Sequence, residues 1–351
     1  MFCPTCGSEA RSTARFCSRC GAPVEGEGAG RPVSRAASFH GAGGELFGMY
    51  LVNGALALAT LGVYWFWGKA KIRRYLYAKT EFDGDRFQFH GTGLEMFVGF
   101  AKALLLVAAL TGGAVALVFA AGRSSGGFKR ETLEVLTALT IYAGVAVFVP
   151  LAIIGALRYR LSRTSWRGIR FSFHGRAAEF LWLCVRVFAL TLATFGLYWP
   201  YAYMRLRKYI VSRVRFGTQP FSFTGRGSDL FGAFVISLLL FLPTLGIYRF
   251  WYNARVDRYA WENTLLGPMR FESRVTGGGL LGLQLGNLVL LFLTLGIAAP
   301  WVTIRTLQYR LDTLVAHGSL DYAAILQQMQ TATATGEGLA DTFDLNLDIG
   351  V

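Results

Sequence analysis

"TLGVYWFWGKAKIRRY", residues 60–75, closes a long apolar run. It returns three times, as "TFGLYWPYAYMRLRKY" (194–209), "TLGIYRFWYNARVDRY" (244–259) and "TLGIAAPWVTIRTLQY" (294–309). The central glycines are Gly62, Gly196, Gly246 and Gly296. The ninth residue beyond each is Lys71, Arg205, Arg255 or Arg305, and the thirteenth is Tyr75, Tyr209, Tyr259 or Tyr309. Residues four apart share a helix face, so each copy predicts an amphipathic helix with a basic, tyrosine-bearing stripe. Arg158–Tyr159 is a fifth echo that lacks the T-L-G part. Trp65, Trp67, Tyr198, Trp199, Trp251 and Trp301 precede the basic residues, as an aromatic belt precedes the headgroup layer.

A second module lies upstream: "FHGAGGEL" (39–46), "FQFHGTGLEMF" (87–97), "FSFHGRAAEF" (171–180) and "FSFTGRGSDLF" (221–231). Alternating F-x-F reads as a short strand, which the glycine breaks. An acid follows within the first helical turn: Glu45, Glu95, Glu179 or Asp229. The last copy, "FESRVTGGGLL", keeps Phe271 and loses both the His and the acid. Repetition on this scale marks a protein built of internal repeats.

Composition points to lipid. Of 351 residues, 53% are hydrophobic and 16% charged, with mean hydropathy +0.41. The formal charge of +14 sits beside apolar segments, which suits anionic headgroups better than nucleic acid. No cleavable signal peptide is visible at the polar start. Six apolar stretches, about 45–67, 94–121, 132–157, 178–203, 229–252 and 279–301, approach or exceed the roughly 20 residues of a spanning helix.

Two topologies compete. Six simple crossings place 16 Lys/Arg on each side, with no positive-inside bias. If only 94–121 and 132–157 cross, and the T-L-G segments are re-entrant hairpins, 29 lie inside against 3 outside. Re-entrant backbone needs protein or water around it, which counts against the second arrangement.

Cys3, Cys6, Cys17 and Cys20 form two C-x2-C knuckles ten residues apart. This spacing suits four thiolates on one tetrahedral zinc, a closed structural site, and a cytosolic zinc places the N-terminus in the cytoplasm. The segment resembles short bacterial zinc ribbons. The repeats and the closing "GEGLADTFDLNLDIGV" resemble the YjgN family of bacterial inner-membrane proteins over residues 39–351. That resemblance implies a multi-spanning inner-membrane fold and brings no catalytic residues with it.

The expectation is therefore an α-helical polytopic membrane protein of internal repeats, with about six apolar segments, some re-entrant, and short interfacial β-hairpins. Its parts are a zinc ribbon (1–22), a Gly/Pro/Ser linker (23–38), a membrane domain (39–316) and an acidic tail (317–351). Candidate lipid-interface residues are the Lys/Arg and Tyr of the four T-L-G copies. Candidate intramembrane polar residues are Glu45, Glu95, Glu179, Asp229 and Arg186; the last stands two turns from Glu179. His40, His90 and His174 could join the acids in a metal or proton site, or simply end their strands at the interface. No catalytic motif is present, so an enzyme is not expected. The expected function is a membrane scaffold or sensor on anionic lipid, with the ribbon engaging a cytosolic protein; a transporter or channel is the alternative.

Overall fold

Thr-Leu-Gly or Thr-Phe-Gly turns fold four of the six apolar runs back on themselves. The computed structural model describes residues 34–124, 129–320 and 325. Within them one order of elements, strand, helix, helix, strand, occurs five times. Unit one is β1 (Ser34–Phe39), α1 (Gly43–Ala59), α2 (Trp65–Lys79) and β2 (Thr80–Phe82). Unit two is β3 (Asp85–Phe89), α3 (Gly93–Ser124), α4 (Arg130–Ser162) and β4 (Thr164–Trp166). Unit three is β5 (Ile169–Phe173), α5 (Ala177–Ala193), α6 (Trp199–Val211) and β6 (Val214–Phe216). Unit four is β7 (Gln219–Phe223), α7 (Ser228–Leu239), α8 (Arg249–Glu262) and β8 (Thr264–Leu266). Unit five is β9 (Met269–Ser273), α9 (Gly277–Leu293), α10 (Ala299–Asp312) and β10 (Leu314–His317).

The ten strands close into one antiparallel barrel, each paired with its neighbours in chain order and β10 returning to β1. Ser34 pairs with His317 and Ala36 with Val315 at this closure. Four two-residue turns join the units. Asp83-Gly84 and Arg167-Gly168 have positive φ at both positions, as a type I′ hairpin requires; Gly217 and Gly267 have it at the first position only, the type II′ pattern. The helices continue the closure, each packing on the next and α10 on α1.

Period 2 along the strands sends the aromatic residues inward. Phe82, Trp166, Phe216, Leu266 and Met269 are buried together, with Phe87, Phe171, Phe221 and Phe271 against them. Their rings contact one another around the lumen: Phe87–Phe171 at 6.4 Å, Phe171–Phe216 at 5.0 Å, Trp166–Phe216 at 5.5 Å and Phe221–Phe271 at 6.4 Å. This aromatic core offsets the weakness of strands only three to six residues long.

The expected helical bundle of about six apolar segments is thus corrected. The interfacial strands are the staves of a closed barrel, and among the described residues only two helices are long and apolar enough to cross a membrane: Gly93–Gly122 and Glu131–Ser162, of 30 and 32 residues. The stretch 45–67 and its counterparts each comprise a helix, a turn and the start of a second helix. Their hydropathy is continuous because both arms of the turn are apolar, and hydropathy does not register a reversal of backbone direction. The barrel also begins at Ser34, inside the segment read as linker. The ribbon cysteines and most of the acidic tail lie outside the described residues.

Candidate lipid interface and axial cavity

Each hairpin tip is built by three residues with separate tasks. The threonine hydroxyl donates to the carbonyl four residues back and accepts from the N–H four residues ahead. Thr60 Oγ1 is 2.7 Å from Leu56 O and 2.9 Å from Tyr64 N; Thr194 gives 2.8 and 3.0 Å to Leu190 O and Tyr198 N. Thr244 and Thr294 repeat both bonds. One side chain so satisfies the end of the first helix and the start of the second, where no water is needed. The glycine N–H bonds to the carbonyl five residues back, Gly62 to Ala57 O and Gly196 to Thr191 O at 2.7 Å each, which is the Schellman closure.

The middle residue is the informative one. Leu61, Phe195, Leu245 and Leu295 all hold φ near +50°, a conformation that costs a bulky L-residue about 1–2 kcal/mol. They are 95%, 99%, 91% and 91% exposed. A large apolar side chain held in a strained backbone and aimed at open space thus recurs at four hairpin tips.

Charged side chains follow the tips. Lys71, Arg205, Arg255 and Arg305, the ninth residues past the tip glycines, are all exposed. Each lies six residues beyond the start of its return helix, a rise of about 9 Å along the axis. Arg205 lies over the Tyr198 ring at 5.5 Å, and Lys69, nearer its tip, over Trp65 at 5.1 Å. Arg249 is nearer still to its tip and exposed.

The tyrosines expected at the interface instead tie each hairpin's two helices together at the base. Tyr209 OH bonds to Arg176 N and O at 3.0 and 2.7 Å and reaches Glu179 at 3.4 Å. Tyr75 does the same at Ala42, Tyr259 at Arg226 and Asp229, and Tyr309 at Thr276. The acids complete this lock. Glu95 takes Tyr159 OH at 3.0 Å and Arg163 at 2.6 Å, Glu179 takes Arg213 at 2.7 Å, and Glu45 faces Lys79 at 3.5 Å. Burial pushes the Tyr209 and Tyr259 hydroxyls up, and the hydrogen bonds from Tyr259 and Ser228 hold the Asp229 carboxyl below its usual range. Arg186 stands apart, on the exposed face of α5 over Trp182 at 5.0 Å.

The histidines are spread around the barrel rim and do not converge; among the described residues no group of three or more metal-ligating side chains forms. What recurs at this position is a backbone bond. The N–H of His40, His90, His174, Thr224 and Arg274 donates to the carbonyl of Lys79, Arg163, Arg213, Asn263 and Thr313, respectively. Since the main chain makes the contact, Thr and Arg can replace His. The following glycine is required for space: a Cβ on Gly91 or Gly175 would sit 2.5 or 2.4 Å from the ring of Phe89 or Phe173.

Burial lowers the His90 and His174 pKa values, and neighbouring arginines (Arg170, Arg163 and Arg74; Arg215 and Arg158) lower them further. A histidine with a depressed folded pKa binds fewer protons folded than unfolded, so stability falls as pH drops below the ordinary value of 6.5. The melting temperature is expected to fall between pH 7.5 and 5.5, with a shallower slope in a His90→Gln/His174→Gln variant. Equal slopes in thermal scans would refute this.

Sequence reading missed two further sets. Arg74, Arg158 and Arg258 donate to the carbonyls of Gly91, Gly175 and Val275, stitching the second helix of one unit to the next. Their sequence signal is an arginine immediately before the base tyrosine, at Tyr75, Tyr159 and Tyr259. The second set lines an axial cavity of 390 Å³ where the helix ring meets the barrel.

The family described as "Bacterial protein of unknown function (DUF898)" matches residues 34–248, 218–268 and 245–342. The zinc-ribbon domain family matches residues 2–24, which hold all four ribbon cysteines. Inner membrane protein YjgN of Escherichia coli (strain K12) is 32% identical over 151 residues, 41% of this chain and 32% of that protein. YjgN of Salmonella typhimurium (strain LT2) is 29% identical over 135 residues, 38% of this chain and 30% of that protein. The chain thus spans about a third of the length of the curated relatives it matches. No solved structure matches.

Proposed function

We propose, from the premise that this chain belongs to the bacterial DUF898 family, that it is an inner-membrane scaffold seated mainly in one leaflet. The exposed, strained Leu/Phe tips carry this reading. Four short hairpins dip into the acyl layer as far as their basic residues allow, and those residues meet anionic headgroups. The α3–α4 hairpin differs in kind: its helices are about 48 Å long, enough to cross the whole bilayer. The barrel sits on the cytoplasmic side, because a crossing by α3 and α4 alone assigns 29 of the 32 Lys/Arg outside the apolar stretches to that side, as the positive-inside rule favours. There the ribbon, with zinc on Cys3, Cys6, Cys17 and Cys20, is free to engage a protein partner. The aromatic lumen counts against a conduit for hydrophilic solutes.

Single cysteines in a Cys184→Ala background test the arrangement, using a membrane-impermeant thiol reagent with the parent chain as blank. Lys129→Cys, between α3 and α4, is expected to label in intact cells. Thr218→Cys, at a barrel turn, is expected to label only after permeabilisation, and Leu61→Cys in neither condition. External labelling of Thr218→Cys or Leu61→Cys would overturn the topology.

A further inference from the structure

The axial cavity carries an inference of its own. Its floor is formed by strand residues, including Phe82, Phe87, Trp166, Phe171, Phe216 and Phe271. At the turn end Leu320 and Ile325 pack on this core, and Leu320 lines the cavity itself. Protein interiors leave few voids larger than a water molecule. A cavity of 390 Å³, left empty, would forfeit the dispersion contacts of every ring that faces it. The volume lies at the small end of the ~300–1,000 Å³ range for ligand pockets.

The charged groups and the threonines of the wall are engaged within the fold. Thr80 and Thr264 donate their hydroxyls to the carbonyls of Leu76 and Ala260. Asp257 accepts a hydrogen bond from Ser273 Oγ at 2.7 Å. The Arg207 guanidinium lies 5.4 Å from the Trp261 ring and 5.9 Å from that of Phe223. Both Arg207 and Arg310 have further interaction partners within the protein. An ionised ligand would therefore bury its charge without a dedicated counter-charge, which is costly. Water is an equally poor occupant, because each buried molecule needs about two to four polar partners. What the wall does offer is aromatic and aliphatic surface, with room for one chain and not for a two-chain phospholipid.

We propose that this cavity binds an uncharged single-chain lipid, its chain lying among the barrel aromatics. An alkyl chain and a prenyl chain share this chemistry. The inference deepens the membrane-seated reading and rests on it for the supply of ligand.

The test uses the full chain in nanodiscs of neutral two-chain phospholipid, a diazirine-bearing tetradecanol as probe, and mass-spectrometric mapping of the crosslinked residues. Crosslinks are expected on cavity residues such as Phe171, Phe216 and Phe221, removed by excess tetradecanol or farnesol; the more effective competitor identifies the source. The matching diazirine-bearing alkyl sulfate, which stays ionised, is expected to label the cavity about tenfold less. Both probes should label the hairpin exteriors. Met269→Trp, which fills the floor, is expected to abolish cavity crosslinking by the alcohol and to leave exterior crosslinking intact. Competition on the unmodified chain decides the matter if that variant fails to fold. Crosslinks confined to the hairpin exteriors would overturn the cavity site and leave the membrane seating intact. Cavity crosslinks without hairpin crosslinks would instead sustain the site and count against the seating. Cavity crosslinks that neither competitor removes, or equal cavity labelling by alcohol and sulfate, would overturn the recognition of an uncharged chain.

Discussion

With Leu61, Phe195, Leu245 and Leu295 all replaced by Asp, the four short hairpins are expected to leave the acyl layer and the folded yield to collapse. A carboxylate at bilayer depth costs about 2.5–3.5 kcal/mol on insertion scales. Four of them amount to roughly 10 kcal/mol, comparable with a typical domain's whole stability of about 5–15 kcal/mol. The protein should stay in the membrane fraction, because α3 and α4 are untouched. The direct readout is tryptophan fluorescence. Trp65, Trp199, Trp251 and Trp301 are exposed on the return helices just past the tips, so phospholipids brominated in the acyl chain should quench them strongly in the parent and weakly in the variant. A set of Met replacements, apolar and unbranched, should quench like the parent. Undiminished quenching in the Asp variant would mean that the tips do not lie in lipid.

Replacing Gly93 or Gly227 by Ala should cost more than any other single methyl group in this fold. A Cβ at Gly93 would fall 2.5 Å from Trp67 Cα, and one at Gly227 the same distance from Tyr201 Cα. Both neighbours are main chain in the preceding unit's return helix, so no rotamer change relieves the overlap; the helices must separate. Overpacking of this kind costs about 1–3 kcal/mol or more, and here it acts where one unit meets the next. Gly43 and Gly277 occupy the equivalent junctions, against Trp301 and Trp251. Gly232 in α7 has open space around its missing Cβ, so Gly232→Ala should instead gain roughly 0.5–1 kcal/mol from helix propensity. Thermal unfolding of the three variants in one detergent checks the contrast. If Gly93→Ala and Gly232→Ala melt alike, close inter-unit packing is not what requires the glycine.

Much of the site was legible in residue order. The spacing of Gly62, Lys71 and Tyr75, repeated at 196, 246 and 296, identified the tip, the exposed basic residue and the base of four of the five return helices. The partners of those residues were not legible. Tyr209 reads as an interface aromatic in sequence; its hydrogen bonds run to Arg176 and Glu179, some thirty residues away. The acids read as dipole partners of their own helices, yet Glu95 also meets Arg163, 68 residues on. His90 and His174 suggested side-chain chemistry, whereas the position recurs through its backbone N–H.

The sequence by itself determined local events: where the chain turns, which faces are apolar, and where charge stops a hairpin from sinking further. These depend on backbone conformations and side chains within a few residues, such as Thr60, Leu61 and Gly62 acting on one turn. Only the tertiary structure decided that ten strands, none longer than six residues, join into one closed barrel. Each is too short to declare its partner, and the pairing of β3 with β4 spans an inserted hairpin of two long helices. Closure of β1 on β10 is the longest-range contact of all. It removes the free edges of the sheet and creates the cavity, whose lining residues converge from all five units only once the ring is complete.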